Sequence, residues 1–306
     1  MQRKGRSGPP MFQTASRETG TREAPRIEAK VGNRRLSAPA SLRLHWPEYL
    51  MEAGEASVYL FSACVVATLL WHPHSPAHRY IANDAVRRVS MGMAMAATMI
   101  AIVVSPWGKQ SGAHINPAIT LAFYRLRKVE AWDATFYCSA QLAGAVAGVA
   151  LASLVLQGAP ADKAVRYAAT LPGNHGDTIA FAAELVMSFI LMSAVLFASN
   201  HKVLAVYTHH FAAMLIGTYI AFESPLSGMS TNPARTFGPA FFGGYWHAVW
   251  IYFIAPPLGM LAAAQMFLLN RGHSGAVCAK LHHHNDKSCI FCHSGFDFPV
   301  PLAEKA

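Results

Sequence analysis

The sequence contains few charged residues. Only 13% of its 306 residues are Asp, Glu, Lys or Arg, against about 25% in an ordinary soluble domain, and 53% are hydrophobic. This composition excludes an ordinary soluble fold. Regular alternation of apolar and polar residues is also absent, which excludes the strands of a membrane β-barrel. We therefore predict an all-α membrane protein, because helices satisfy their own backbone hydrogen bonds in lipid.

Other absences exclude further classes. The chain has no nucleotide-binding loop and no nucleophile placed beside a base, so nothing indicates an enzyme. Residues 1–45 hold no apolar core, and so form neither a span nor a secretory signal peptide. We expect them to be a disordered, basic, cytoplasmic N-terminal tail.

The apolar residues gather into long runs. A helix needs roughly 20 residues to cross a hydrocarbon core of about 30 Å. Six runs approach this length: about 48–71, 86–105, 131–156, 178–199, 203–222 and 246–270. The sequence therefore predicts six transmembrane helices.

The net charge of +9 is unevenly distributed. With six spans and the N-terminus in the cytoplasm, 19 Lys and Arg residues fall inside and five outside. This asymmetry predicts that both termini are cytoplasmic in an integral protein of the cell membrane. The positive charge then reflects topology and contact with lipid, and we expect no nucleic-acid partner.

One motif, Ser-Gly-x-x-x-Asn-Pro-Ala, occurs twice. Its final tripeptides are Asn116, Pro117 and Ala118, and Asn232, Pro233 and Ala234. Asn is a preferred N-cap and Pro suits the first helical position, so each motif predicts the start of a helix. Too few apolar residues follow for a full span, and we expect two re-entrant half-helices.

The two motifs belong to two similar halves, at about 46–157 and 178–270. Glu52 lies 64 residues before Asn116, and Glu184 lies 48 residues before Asn232. Because each half has three spans, the second half must enter the bilayer in the opposite orientation, as in an inverted repeat. The two half-helices would then meet near the midplane with their positive ends facing each other. This arrangement predicts a pore.

The sequence resembles the aquaporin family, also called the major intrinsic proteins. The resemblance rests on the two motifs and on the segments "SGAHINPAIT", "AQLAGAVAG" and "NPARTFGPA". The resemblance covers about residues 47–270. It implies six tilted helices with two half-helices, a homotetramer with one pore in each protomer, and no cofactor. It also implies passive flow of water, and of glycerol or other small neutral solutes, with exclusion of protons and ions.

The resemblance assigns roles to particular residues. Asn116 and Asn232 would donate hydrogen bonds to the passing solute. Arg235 would lie at the outer constriction, where it repels cations. Glu52 and Glu184 would accept hydrogen bonds from backbone N–H groups of the re-entrant loops, since a bare carboxylate is costly in a membrane.

The rest of the selectivity filter follows from the family's spacing. It selects Met229 and Ile220, with Tyr219 as an alternative to Ile220 if the helix is shifted by one residue. The helix pattern of the second span selects Met91, whereas a count without gaps selects Ala96. Thr236 stands where glycerol-specialised members usually have Asp, which favours water as the solute, whereas the apolar filter favours small neutral solutes.

The region 271–306 is a Cys- and His-rich tail that does not match the family pattern. It offers seven potential metal ligands: Cys278, His282, His283, His284, Cys289, Cys292 and His293. A cytoplasmic tail keeps its thiols reduced, which favours a metal over a disulfide. Zinc or copper is possible here, and an incidental tail without metal is the alternative.

Two rival functions stay open. Inverted repeats with broken helices also build ion-coupled carriers of small solutes. Alternatively, the bundle carries the tail as a metal-binding regulatory element.

Overall fold

The computed structural model describes residues 36–292. The basic tail predicted for residues 1–45 therefore lies mostly outside the described residues. The described part contains α-helices and short 3-10 turns but no strand. Its α-helices are α1 (Ala38–Trp71), α2 (Pro76–Tyr80), α3 (Asp84–Val104), α4 (Pro106–Ser111), α5 (Pro117–Arg125), α6 (Ala131–Val155), α7 (Gly176–Ser199), α8 (Thr208–Phe222), α9 (Ser224–Ser227), α10 (Pro233–Gly243) and α11 (Val249–Arg271).

Five helices among residues 36–292 are long and apolar enough to span a membrane: α1, α3, α6, α7 and α11. The sixth predicted span is α8, which is shorter. A 3-10 turn at Ala205–Tyr207 leads directly into α8, so the helical segment runs from Ala205 to Phe222. The half-helices α5 and α10 begin at the prolines of the two repeated motifs, Pro117 and Pro233.

The helix pairing has an internal two-fold pattern. Helix α1 packs on α6 in the first half, and α7 packs on α11 in the second. The middle helices, α3 and α8, pack on each other across the halves. Each half-helix packs against the last spanning helix of the other half, α5 on α11 and α10 on α6. The two halves therefore hold each other's re-entrant segments.

Glycines allow the close approach of α1 and α6. A β-carbon at Gly144 would lie 2.1 Å from the carbonyl oxygen of Ala53, and one at Gly148 would lie 2.3 Å from that of Ser57. Such distances are far inside van der Waals contact, so only glycine fits. This is the close packing that small residues spaced four apart permit between membrane helices.

The first helix begins earlier than the apolar run indicates, which corrects the predicted tail boundary at residue 45. Residues 38–45 are helical, and Pro47 lies inside α1 rather than in its first turn. The additional turns are anchored by polar contacts with Asp133 of α6. Ser41 Oγ donates to an Asp133 carboxylate oxygen over 2.6 Å, and His45 Nδ1 lies 2.8 Å from the same atom. A search for apolar residues misses a helix that is held by such bonds.

One end of the bundle carries the start of α1 and the end of α11, and we call it the terminal face. The N-terminal part of α1 contacts α4 there, where Gln110 Nε2 donates to Glu48 over 3.0 Å. The segment after α11 reaches the same place, since Lys280 Nζ donates to the carbonyl oxygen of Lys109 over 2.8 Å. This face therefore includes α4 and the first motif's loop.

Candidate functional site

Each repeated motif starts a half-helix through its asparagine. Asn116 is the N-cap of α5, and its side-chain oxygen accepts from the N–H of Ala118 over 2.9 Å. Asn232 is the N-cap of α10 and accepts from Ala234 over 2.9 Å and from Arg235 over 3.3 Å. These bonds satisfy N–H groups that have no partner within a helix.

The same two asparagines join the motifs to each other. Asn116 Nδ2 donates to the carbonyl oxygen of Thr231 over 2.8 Å, and Asn232 Nδ2 donates to that of Ile115 over 2.9 Å. Each side chain thus bonds the residue just before the other asparagine. An amide nitrogen carries two N–H groups, so this pairing uses one and leaves a second on each side chain.

The loops that precede the half-helices have matching strained backbones. After the glycine of each motif, two non-glycine residues have positive φ: Ala113 (53°) and Ile115 (54°) in the first loop, and Met229 (51°) and Thr231 (52°) in the second. The left-handed region is unfavourable for such residues, especially β-branched ones. Strain of this kind persists where surrounding contacts enforce it, which is common at functional sites.

Two buried glutamates supply those contacts. Glu52 of α1 accepts from the N–H groups of His114 over 2.8 Å and Ile115 over 2.7 Å. Glu184 of α7 accepts from Ser230 and Thr231, both over 2.6 Å. Each carboxylate thus binds two consecutive N–H groups in one loop, at equivalent positions of the two halves.

Several supporting residues were not predicted. Ser111 Oγ accepts from Ala113 N–H over 3.0 Å, and Ser227 Oγ accepts from Met229 N–H over 3.1 Å. The carbonyl oxygen of each serine accepts from a tyrosine, Tyr137 of α6 or Tyr252 of α11. These tyrosines lie 26 and 25 residues after their serines, and that matched spacing is the signal that could have found them.

Gln141 is a further residue that the sequence analysis did not assign. Its Nε2 donates to Glu52 over 2.8 Å and lies 3.2 Å from Thr120 Oγ1. It therefore provides a third donor for the Glu52 carboxylate. Its segment, "AQLAGAVAG", already contributed to the family resemblance, but a resemblance does not show which polar residue faces a loop.

A cavity of about 30 Å³ lies where the two motifs meet, and Asn116, Asn232, Arg235 and Met229 contribute to its wall. At roughly 10–15 Å³ for one water molecule, it has room for about two. The wall combines apolar side chains with polar groups, and its remaining residues are Tyr59, Met99, His114, Ile115, Ile119, Leu191, Ile216, Ser230 and Thr231.

Arg235 is held beside this cavity by the connection between α6 and α7. Its Nη1 donates to the carbonyl oxygen of Ala168 over 2.7 Å. Ala168 and Tyr167 both have positive φ, at 55° and 53°. The strained turn thus presents a carbonyl oxygen to the guanidinium group.

The other predicted filter residues are buried elsewhere. Met91 and Ile220 do not line this cavity, whereas Met99 and Ile216 of the same helices do. Their assignment to the filter stays a prediction.

The two alternatives also lie away from the cavity. Tyr219 packs toward α7, where its hydroxyl donates to the Met187 carbonyl oxygen over 3.4 Å. Ala96 lies against Gly217 of α8.

Thr236 has well-defined partners. Its Oγ1 lies 2.7 Å from Thr170 Oγ1 and 2.7 Å from Ser230 Oγ. It therefore connects α10 to the second loop and to the connection between α6 and α7.

Part of the Cys- and His-rich tail folds against the terminal face. The structure brings four of the seven predicted ligands together: ligand atoms of Cys278, His283, Cys289 and Cys292 all lie within 4.8 Å of one another. These residues could hold a metal ion. His282 and His284 are outside this cluster, and His293 lies outside the described residues.

The cluster is partly buried, which affects its thiols. The Sγ atoms of Cys278 and Cys289 lie 3.3 Å apart. This hydrogen bond and burial raise the pKa of Cys278 above its ordinary value. Burial lowers the pKa of the neighbouring Lys280.

Comparison with known proteins agrees with this geometry. The sequence model of the family described as "Major intrinsic protein" matches residues 41–267. The chain belongs to the major intrinsic protein family. The matched region contains both motifs, Glu52, Glu184 and Arg235, and it ends before the cysteine cluster. The predicted family is confirmed, and membership makes the chain an integral membrane protein of a family of channels rather than enzymes.

Individual relatives of this major intrinsic protein are moderately similar. Nodulin-26 of Glycine max is 31% identical over 56% of this chain and 62% of its own length. Aquaporin NIP3-1 of Arabidopsis thaliana is 32% identical over 56% of this chain and 54% of its own length. Aquaporin-4 of Rattus norvegicus is 33% identical over 55% of this chain and 52% of its own length. The chain thus spans little more than half the length of the curated relatives it matches.

A solved structure shows the same fold. The aquaglyceroporin from Plasmodium falciparum superposes with a TM-score of 0.60, over 73% of this chain and 95% of its own, at 20% identity. The predicted fold class is confirmed.

Proposed function

We propose that this protein is a passive channel for water, with glycerol or other small neutral solutes as further permeants. The observation that carries the proposal is the pair Asn116 and Asn232. Each is joined to the other's loop, each retains an N–H group, and both line one small cavity. A water oxygen beside them would accept from both side chains.

The same arrangement would exclude protons and ions. Two helix N-termini carry partial positive charge, and Arg235 adds a full one beside the cavity. A water molecule whose oxygen accepts from both asparagines cannot accept a proton from neighbouring water molecules in the pore. The positive charges repel cations. Exclusion by half-helix dipoles and an arginine is known from aquaporin-type pores.

Water is the first solute that we propose. Thr236 is neutral and hydrogen-bonded to two other hydroxyl groups, whereas glycerol-specialised members usually have Asp there. The apolar filter proposed from Met229, Ile220 and Met91 accords with additional passage of small neutral solutes. Among the similar proteins are chains titled aquaporin and one titled aquaglyceroporin, which agrees with this range.

We further propose a homotetramer in the cell membrane with one pore in each protomer. The terminal face is cytoplasmic in this proposal, because the basic residues concentrate in the segments that meet it. The cysteine cluster would then lie in the reducing compartment, where zinc or copper is the expected occupant rather than a disulfide.

An ion-coupled carrier is the alternative. Carriers need exposed groups at the midplane to bind the coupling ion. Glu52 and Glu184 instead bind backbone N–H groups and do not line the cavity. This arrangement favours the channel.

A panel of swelling assays on one proteoliposome preparation tests the proposal. Water, glycerol, urea and ammonia are compared at equal osmotic gradients, with empty liposomes as the control. We expect water flux above the control that does not saturate and does not depend on a sodium or proton gradient. Saturating flux that requires such a gradient would favour the carrier.

A further inference from the structure

The segment 276–292 is partly buried although it follows the last spanning helix. Ala279, Lys280 and Leu281 are at most 2% exposed. Leu281 and Ala279 belong to the same apolar core as the bundle. The family match ends at residue 267, so this docked segment lies outside the region that the family model matches.

The segment contacts the loop that leads to Asn116. The carbonyl oxygen of Ala279 lies 2.8 Å from His114 Nε2, and Leu281 N–H donates to the Gly112 carbonyl oxygen over 3.1 Å. The ring of Phe291 stacks on that of His114, with centroids 5.4 Å apart and planes 9° from parallel. Since His114 lines the central cavity, the segment lies against the loop that forms part of the cavity wall.

The apolar residues of this segment are few for a structure that must stay folded by itself. Eight of the 17 residues in its sequence, "AVCAKLHHHNDKSCIFC", are polar or charged, and short segments without a sufficient core need a disulfide or a metal to stay folded. The cluster of Cys278, His283, Cys289 and Cys292 spans the docked residues from end to end. It therefore lies where such a link would act.

The donor set fits zinc. Structural zinc sites use four ligands, including three cysteines and one histidine, in a closed tetrahedron. Zn–S bonds of about 2.3 Å place sulfur atoms about 3.8 Å apart, close to the 3.3 Å between Cys278 and Cys289. All four ligand atoms already lie within 4.8 Å of one another, so small side-chain movements would complete the site.

A neighbouring lysine matches the charge of such a site. Three thiolates and a neutral imidazole leave a zinc site with a net charge of −1. The ammonium of Lys280, in the same segment, is buried and donates to the carbonyl oxygens of Lys109 and Ser288 over 2.8 and 2.7 Å. It thus supplies a compensating positive charge and also ties the segment to α4.

We propose that Cys278, His283, Cys289 and Cys292 bind zinc, and that the zinc fixes residues 276–292 as a plug that closes the pore at the terminal face. The closing function rests on the channel proposed above. Loss of zinc frees the segment, uncovers the loop around His114 and opens the channel. The chain is then a zinc-regulated channel.

Zinc content tests the site without any flux measurement. Full-length protein purified under reducing conditions is loaded with zinc, desalted and analysed for metal. We expect one zinc per chain in the wild type and in His284→Ala, and a loss of affinity of at least about 100-fold in His283→Ala, more than the loss of a supporting residue costs. Equal zinc binding by His283→Ala and His284→Ala, or a Cys278–Cys289 disulfide in place of zinc, would overturn the site.

Hydrogen exchange tests the docking independently of the channel. The amide of Leu281 should exchange more slowly with zinc than with a chelator in the wild type and in His284→Ala, because it is bonded to Gly112 in the docked state. His283→Ala should show no zinc effect. A Leu281 amide with the same protection with and without zinc would overturn the plug.

Water flux then tests closure. Chelated wild-type protein should be several-fold more permeable than zinc-loaded protein, and His283→Ala should be equally permeable in both conditions. Equal water flux through zinc-loaded and chelated wild-type protein would overturn closure but not the channel, provided that the loaded protein contains zinc. Absence of flux from every preparation would overturn the channel, and closure with it, while the metal and exchange results stood.

Discussion

Arg235 places a full positive charge beside the central cavity at the start of α10. An intramembrane charge is costly, and here a single described carbonyl bond, to Ala168, orients the guanidinium group. The remaining donors of that group are available to face a solute. The residue therefore accords with a role in selecting what passes rather than in joining helices.

Replacing this charge should weaken ion exclusion. At about 4 Å and an effective dielectric constant of about 20, two like unit charges repel by about 4 kcal/mol. Arg235→Ala should therefore raise proton and cation leak by between about tenfold and 1,000-fold, measured with a pH-sensitive dye inside proteoliposomes.

The control for this experiment is Arg235→Lys, which retains the charge without the planar donor group and should leak far less. Ion leak at the wild-type level in Arg235→Ala, with water flux intact, would contradict the assigned role.

At this scale the sequence predicted the residues that stand in a repeated motif. Asn116 and Asn232 follow from it directly, Arg235 follows from the family resemblance, and the structure brings all three to one cavity. Gln141 could not be predicted, because it reaches the loop from another helix, and only its spacing from Ser111 could have indicated Tyr137. A single polar residue in an apolar run does not indicate which neighbour it faces.

The two re-entrant loops depend on the helices that carry their glutamates. Each loop has two non-glycine residues in the left-handed region, and each glutamate binds two consecutive N–H groups there. The favourable bonds offset the backbone strain. The loops should therefore lose their shape when a carboxylate is lost.

Glu184→Gln tests this support. The amide retains one acceptor but places an NH2 group against a backbone N–H, so one buried donor loses its partner at about 1–3 kcal/mol. We expect thermal unfolding in detergent several degrees below that of the wild type. Glu130→Gln is the matched control, because Glu130 is exposed and makes no side-chain cap bond. Equal unfolding temperatures for the two variants would show that Glu184 does not stabilise the loop.

The close contact between helices α1 and α6 allows a second test at the scale of structural elements. In Gly148→Val, a β-carbon 2.3 Å from the Ser57 carbonyl oxygen must push the two backbones apart. We expect little monodisperse protein on size-exclusion chromatography. The next residue provides the control, since Ala147 is exposed and Ala147→Val should behave like the wild type. A normal yield of Gly148→Val would mean that the helices do not need this close approach.

Element boundaries were predicted less well than element number. Apolar runs indicated the spans, but the start of α1 at Ala38 depends on polar bonds with Asp133. The short helices α4 and α9 were not predicted, because each precedes a motif and has too few residues for a periodic pattern. Hydrophobic patterns do not detect either kind of feature.

At the scale of the whole molecule, two inverted halves exchange their half-helices, α5 packing on α11 and α10 on α6. The duplicated motif predicted the inversion of the halves, because it repeats after an odd number of spans, but it did not predict that they exchange half-helices. The docking of residues 276–292 could not be predicted in the same way. Ala279 contacts His114 across 165 positions of the chain, and no repeat or periodicity connects these two segments.

Osmotic water permeability of zinc-free protein is the most direct test of the central claim, that water passes between Asn116 and Asn232. Proteoliposomes containing the chelated full-length chain are mixed with a hyperosmotic solution, and their shrinkage is followed by stopped-flow light scattering beside empty liposomes of the same lipid. The account predicts markedly faster shrinkage with the protein. Shrinkage at the rate of the empty liposomes would contradict it.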